Sequence, residues 1–136
     1  NSHMTESRYL QVFGDANDAL LGYLGLNEDY LASGHSVFTV ETHIRHLSET
    51  PEGSSFEVHS RLLSCDEKRL HIWHELVSEK QQTLLATGEH MLLHVDTRAG
   101  KSKPMLQDFR RRAENLANTQ RTLSRPEAAG RAIRMS

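Results

Sequence analysis

The amino-acid sequence predicts an α+β domain in which one long helix lies along the concave side of an antiparallel sheet. Three observations carry this. Residues 9 to 25 hold a single helical stripe. From Ser36 onward the apolar period changes to two, and four such segments follow one another across short turns. The lengths also agree: a helix of about twenty residues is ~30 Å long, and strands of about eleven residues reach ~36 Å.

In the helix, Tyr9, Phe13, Ala16, Leu20 and Tyr23 with Leu24 are spaced by three and four, while Arg8, Gln11, Asp15, Asp18 and Gly22 form the opposite stripe. Thr5 is placed to cap the start, Glu6 puts a carboxylate at the positive end of the helix dipole, and Gly25 is placed to stop it. Asn27 to Gly34 reads as a connection with a single apolar turn at Tyr30-Leu31. In Ser36 to Leu47, Phe38, Val40, Thr42 and Ile44 alternate with Thr39, Glu41, His43 and Arg45, and the β-branched content favours a strand. Thr50-Pro-Glu-Gly-Ser-Ser55 is a turn. A second strand covers Phe56 to Cys65, with Phe56, Val58 and Leu62 on one face, and Asp66 to Lys68 reverses the chain. A third runs from Arg69 to Glu79. A fourth, Thr83 to Val95, carries Leu85, Met91, Leu93 and Val95 in phase. Thr97 to Lys103 reads as a loop, Pro104 starts a second helix with Leu106, Phe109, Ala113, Leu116 and Leu123 on one side, and Arg125-Pro126 ends it. Glu127 to Ser136 is a tail that is mobile unless docked. The expected division is residues 1–105 as one domain, followed by a C-terminal helix and tail over residues 106–136.

At 136 residues and 37% hydrophobic, the chain suits one modest core. A single cysteine, Cys65, rules out an intrachain disulfide and points to a reducing, cytoplasmic setting. No apolar run approaches the ~20 residues of a membrane span. The net charge of −2 hides an asymmetry: residues 1–100 hold 7 Lys+Arg against 15 Asp+Glu, and residues 101–136 hold 9 against 3. With Arg110-Arg111-Arg112 as its only basic run and few aromatics beside it, the basic part reads as a solvated helix face rather than a nucleic-acid surface. Among nine histidines, the pairs His43/His46, His71/His74 and His90/His94 have the look of metal ligands. On strands, residues three apart face opposite ways and residues four apart are ~13 Å apart, so none of these pairs chelates locally and no metal is expected. Phosphate-binding glycine loops and nucleophile elbows are absent, and no cofactor is expected.

The order helix, loop, Val40-Glu-Thr-His-Ile-Arg-His-Leu47, hairpin, and Ala86-Thr-Gly-Glu-His-Met-Leu-Leu-His-Val-Asp96 resembles the hotdog-fold acyl-CoA thioesterases of the 4-hydroxybenzoyl-CoA thioesterase type, over residues 1–105. Glu67-Lys-Arg-Leu-His71 and Arg125-Pro-Glu-Ala-Ala-Gly-Arg131 are most similar to the betainyl-CoA thioesterases that accompany, or are fused to, carnitine dehydrogenases. The resemblance implies hydrolysis of an acyl-CoA thioester, a homodimer or tetramer joined edge to edge, and a site shared between subunits. It also implies an Asp-x-Asn-x-His pattern leading into the helix. Asn1 and His3 match its last two positions, and its Asp and the family's first strand would precede Asn1. Two readings of Ser2-His3-Met4 stand, a cloning remnant or part of that motif, and the unbroken continuation through Met4-Thr-Glu-Ser-Arg-Tyr9 favours the motif.

The candidate catalytic residues are therefore Asn1, His3, Glu6 and Tyr9. Asn1 and the helix-entrance amides would stabilise the oxyanion, and a carboxylate, the preceding Asp first and Glu6 second, would activate water or attack directly. His3 would polarise the thioester, and Tyr9 would supply a hydrogen bond. For a cationic trimethylammonium head group the candidates are Trp73, by cation–π attraction, and Glu41, with His43 beside it and Glu89 able to serve if turned toward the helix. The contrasting reading is a non-catalytic acyl-CoA binding module of the same fold.

Overall fold

In the computed structural model, which describes residues 4–51 and 53–135, helix α1 spans Glu6–Leu24 and ends at Gly25, whose φ of +110° turns the chain out of the helix. Helix α2, Glu28–Ala32, is capped by Asn27, whose Oδ1 accepts the Tyr30 N–H at 2.9 Å. The strands are β1 His35–His46, β2 Phe56–Cys65, β3 Arg69–Ser78, β4 Leu84–Asp96 and the short β5 Lys101–Ser102; helix α3 is Gln107–Gln120. The sheet runs β1-β4-β3-β2, all antiparallel, with β5 on the end of β4. No described helix is long and apolar enough to cross a membrane.

Cross-strand register decides which side chains meet α1, because directly opposed residues share a face. One row is Ile44, Gly88 and His74, and His74 bonds to Asn17 of α1. The neighbouring row, His43, Glu89 and Trp73, therefore points away from the helix. The helix-facing side carries two apolar clusters. One joins Leu21 and Leu24 to Leu62, Leu70, Ile72, Leu92, Phe109 and Ala113; the other joins Tyr9, Val12 and Phe13 to Leu76, Leu85 and Ala86.

Three details depart from the sequence pattern. The buried arc of α1 is Tyr9, Val12, Phe13, Asn17, Leu21 and Leu24, whereas Tyr23 is 69% exposed. The sheet covers one arc only, and Asn17 enters it because His74 satisfies its amide oxygen. A bulge between Thr39 and Glu41 breaks the alternation of β1, so Phe38 and Val40 are exposed while Thr42 and Ile44 turn toward the helix. Helix α3 starts at Gln107 rather than at Pro104: Leu106 is still extended, with φ −65° and ψ 150°, and the segment is held to its neighbours by Met105 N–H on the Glu67 carbonyl at 2.8 Å and Leu106 N–H on the Tyr30 hydroxyl at 3.2 Å.

The C-terminal segment wraps the sheet. Phe109 and Ala113 lie in the helix-side core, and the Gln120 side chain accepts the Leu62 N–H of β2 at 2.8 Å. On the far face, Arg61 donates to the Ser124 carbonyl at 2.8 Å, and the Gly130 N–H donates to Glu89 Oε2 at 2.7 Å. The tail is thus docked across the outer face.

Candidate functional site

The start of α1 is built against the turn after β1. Met4 N–H donates to the Thr50 carbonyl at 3.0 Å, and the Tyr9 hydroxyl donates to Thr50 Oγ1 at 2.8 Å. Tyr9 meets the His46 ring edge-on at 4.7 Å. Thr5 sits at the cap position, but its hydroxyl pairs with Ser7 Oγ at 3.1 Å and makes no cap to the helix. The first-turn amides are therefore not consumed by a capping side chain, and exposed Glu6 stands among them. Of the four candidate catalytic residues, Glu6 and Tyr9 lie at this entrance. Asn1 and His3 lie outside the described residues.

Further along α1 a polar band separates the two apolar clusters. Asn17 Oδ1 lies 2.6 Å from His74 Nε2, and Ser60 Oγ lies 2.7 Å from His74 Nδ1. Since the amide oxygen only accepts, Nε2 carries the proton and the Ser60 hydroxyl donates to Nδ1. His90 Nδ1 bonds Thr42 Oγ1 at 3.0 Å, its buried Nε2 has no partner among the described residues, and its ring lies 5.3 Å from His74. Burial, then the neighbouring His90, pushes His74 down to about 3; burial pushes His90 down to about 4 against the opposing pull of Glu89. Both rings are neutral near pH 7; His74 ties α1 to β3 through Asn17, and His90 ties β4 to β1 through Thr42.

Strand spacing also left unseen a second buried system, because its members come from different elements. The Tyr30 hydroxyl lies 2.7 Å from His94 Nε2, and His94 Nδ1 donates to the Lys103 carbonyl at 2.7 Å. Nε2 must then accept from Tyr30. This relay ties α2, β4 and the segment leading to α3. Cys65 is half-buried, and burial followed by the Glu114 carboxylate raises its thiol, which disfavours the thiolate a nucleophile needs.

On the outer face, Glu41 and His43 line a cleft of ≈ 330 Å³ together with His71, Glu89, Met91 and the tail residues Gly130, Arg131 and Ala132. His71 Nε2 meets Glu89 Oε2 at 2.6 Å, and that same oxygen takes the Gly130 N–H. A second cleft of ≈ 440 Å³ adjoins it, lined by His43, Arg45, Arg131, Ala132, Ile133 and Arg134. Trp73 is on this face but only 2% exposed, and its indole N–H donates to Glu75 at 3.1 Å. Its ring is thus part of the packing, not an open wall of a cation cage. Neither Glu41 nor Glu89 turns toward the helix, so within one protomer the sheet separates them from Glu6 and Tyr9. The sequence reading met His71 in a histidine pair and Arg131 in a similarity motif but did not bring them together, since nothing local in sequence places residues 130–134 onto β1 and β4.

The chain is similar to known proteins in sequence and in fold. The family model described as "Thioesterase-like superfamily" matches residues 1–113. An L-carnitine dehydrogenase/betainyl-CoA thioesterase of Agrobacterium fabrum is 52% identical over 98% of the chain, which spans only 27% of that longer protein. A betainyl-CoA thioesterase of Pseudomonas aeruginosa is 43% identical over 98% of this chain and 84% of its own. A Staphylococcus aureus protein solved in complex with CoA superposes with a TM-score of 0.93 at 28% identity, covering 100% of this chain and 86% of that one. The helix-and-sheet architecture is the hotdog fold that the sequence pattern resembled. On a family match that takes in α1 and all five strands, and on relatives alike over nearly the whole chain, this protein belongs to the thioesterase-like superfamily.

Proposed function

We propose that this chain hydrolyses an acyl-CoA thioester, with betainyl-CoA the favoured substrate. The observation that carries the reading is the entrance to α1, where uncapped amides and a carboxylate, Glu6, stand together at an exposed helix start. Water adds to the thioester carbonyl, charge gathers on the carbonyl oxygen, and collapse expels the CoA thiolate, leaving the free acid after proton transfer. The α1 amides and Asn1 hold the oxyanion, and Glu6, the carboxylate in the first turn of the helix, takes the proton from water. His3 orients the thioester, and Tyr9 anchors the entrance through Thr50. The choice of betainyl-CoA, like the placing of the reaction beside a carnitine dehydrogenase, rests on the relatives' names; the cytoplasmic setting rests on the cysteine content.

Release of free CoA from betainyl-CoA and from its neutral isostere 4,4-dimethylpentanoyl-CoA tests this. The cationic substrate is expected to react faster, and Glu6→Gln to lower kcat about a hundredfold with little change in KM. A preference for the neutral acyl group removes the betainyl assignment. CoA binding without hydrolysis of any acyl group turns the protein into a binding module.

We also propose a homodimer. Strand β1 is an edge whose Phe38 and Val40 are more than half exposed, a surface suited to a second copy. Sedimentation at micromolar concentration is expected to give twice the chain mass, and a monomer would count against a site shared between subunits.

A further inference from the structure

We infer that Thr50 is a positioning residue for the α1 entrance, holding the helix start against the sheet from outside so that its first amides stay free for the thioester oxygen. This rests on the acyl-CoA reading above and adds to it a residue that acts through Met4 and Tyr9. A helix start is ordinarily fixed by a side chain at the cap position, which occupies amides of the first turn. An oxyanion needs those same amides, so a cap and an anion compete for them. In α1 the side-chain cap is missing: the Thr5 hydroxyl pairs with Ser7 Oγ, and the third helical residue is Arg8, which cannot accept as the Glu or Gln of a capping box does. The apolar half of the same device is present. Met4, just before the cap position, packs against the cluster that holds Tyr9, the fourth helical residue, and these are the two positions of a hydrophobic staple.

Thr50 bonds to both staple residues. Its carbonyl takes the Met4 N–H and its Oγ1 takes the Tyr9 hydroxyl, and neither bond uses an amide of the first turn. Thr50 is only 1% exposed although Glu49 and Pro51 on either side are exposed, so the chain turns this one polar side chain inward. The stretch leading to it is fixed to the sheet, with the Leu47 and Ser48 amides both on the Leu85 carbonyl of β4 at 2.9 and 3.0 Å. The position of β4 thereby reaches the start of α1 through one residue. Removing the Thr50 hydroxyl leaves the buried Tyr9 hydroxyl without its partner and lets the first turn shift. A displacement of about an ångström at oxyanion donors slows the reaction without weakening binding.

Hydrolysis kinetics and amide hydrogen exchange test this together. Thr50→Val and Tyr9→Phe remove the same bond from opposite ends; each is expected to lower kcat about tenfold with KM within about twofold of wild type, and the double variant to lose no more than the worse single one. Thr50→Ser keeps the hydroxyl and is expected to retain kcat within about threefold. Tyr30→Phe, which deletes a buried tyrosine hydroxyl on α2 instead, is expected to leave kcat within about twofold. In the absence of substrate, exchange protection of the Met4 and Tyr9 amides is expected to fall about tenfold in Thr50→Val and to survive in Thr50→Ser. Unchanged protection in Thr50→Val, additive losses in the double variant, a kcat loss that serine does not recover, or an equal loss in Tyr30→Phe overturns the assignment. If Thr50→Val does not fold, Tyr9→Phe carries the same measurements. If the wild type hydrolyses no acyl-CoA, the thioesterase reading falls, and exchange still decides whether Thr50 holds the entrance.

Discussion

Lowering the pH from 7 to 5 is expected to cost this protein about 4 kcal/mol of folding stability, roughly half from each of His74 and His90. An unfolded histidine takes up its proton near pH 6.5, whereas burial keeps these two neutral down to about 3 and about 4. Between those values the unfolded chain binds more protons than the native one. The stabilisation is therefore complete above 6.5 and drains away as the pH falls toward the folded values. His94, pushed down mainly by its burial, adds in the same direction. Asp66, held low chiefly by its hydrogen bond from Arg69, and Asp96, held low by the amides of Ala99 and Arg98, act in a separate window. Their support is present above the ordinary carboxylate range and is lost only below about pH 4. Urea unfolding at half-unit intervals checks this. A flat profile from pH 7 to 5 would mean that the polar band takes up protons without unfolding.

Gly88→Ala is expected to destabilise the fold by about 3 kcal/mol, at the upper end of what one added methyl costs a packed core. A Cβ at this position would lie 2.9 Å from Cδ2 and Cγ of Phe13 and 3.0 Å from His90 Nε2. Phe13 is fully buried between α1 and the sheet, so it has nowhere to retreat without moving the helix. Phe13→Leu makes room, and the double variant should recover at least ~1 kcal/mol relative to the sum of the single changes. Additive losses in denaturant unfolding would show that the methyl is accommodated elsewhere. Because α1 carries the entrance residues, the same substitution should also depress hydrolysis at temperatures where the protein remains folded.

The elements were legible because each has a strong local signal. The span of β2 is the one its alternation and turns define, and α1 stops at its glycine. Faces were harder. A bulge of one residue in β1 reverses the expected sides of Phe38 and Val40, and no propensity marks where it falls. Asn17 would be assigned to the polar stripe by any hydropathy scale; only the distant Ser60 and His74 explain its burial. Histidine spacing along the chain was a poor guide for the same reason, since the ring contacts that form, His74 with His90 and His35 with His94, cross between strands. At the site, local pattern led to the helix entrance. Trp73, the one indole, was drawn toward a ligand by its chemistry, while the structure spends it in packing.

The passage of the C-terminal segment around β2 has a consequence for how copies of this protein add to one another. A sheet with two bare edges can recruit strands at both, and repeated recruitment gives filaments. Here Gln120 occupies the Leu62 amide on one edge, and the chain crosses there from one face to the other, which obstructs an incoming strand. The opposite edge, β1, remains for pairing, and two such edges meeting about a twofold axis use each other up. In the proposed dimer edge-wise growth terminates at two copies, so removing the chain from Gln120 onward is a change that would expose the protein to fibre formation rather than merely loosen a tail.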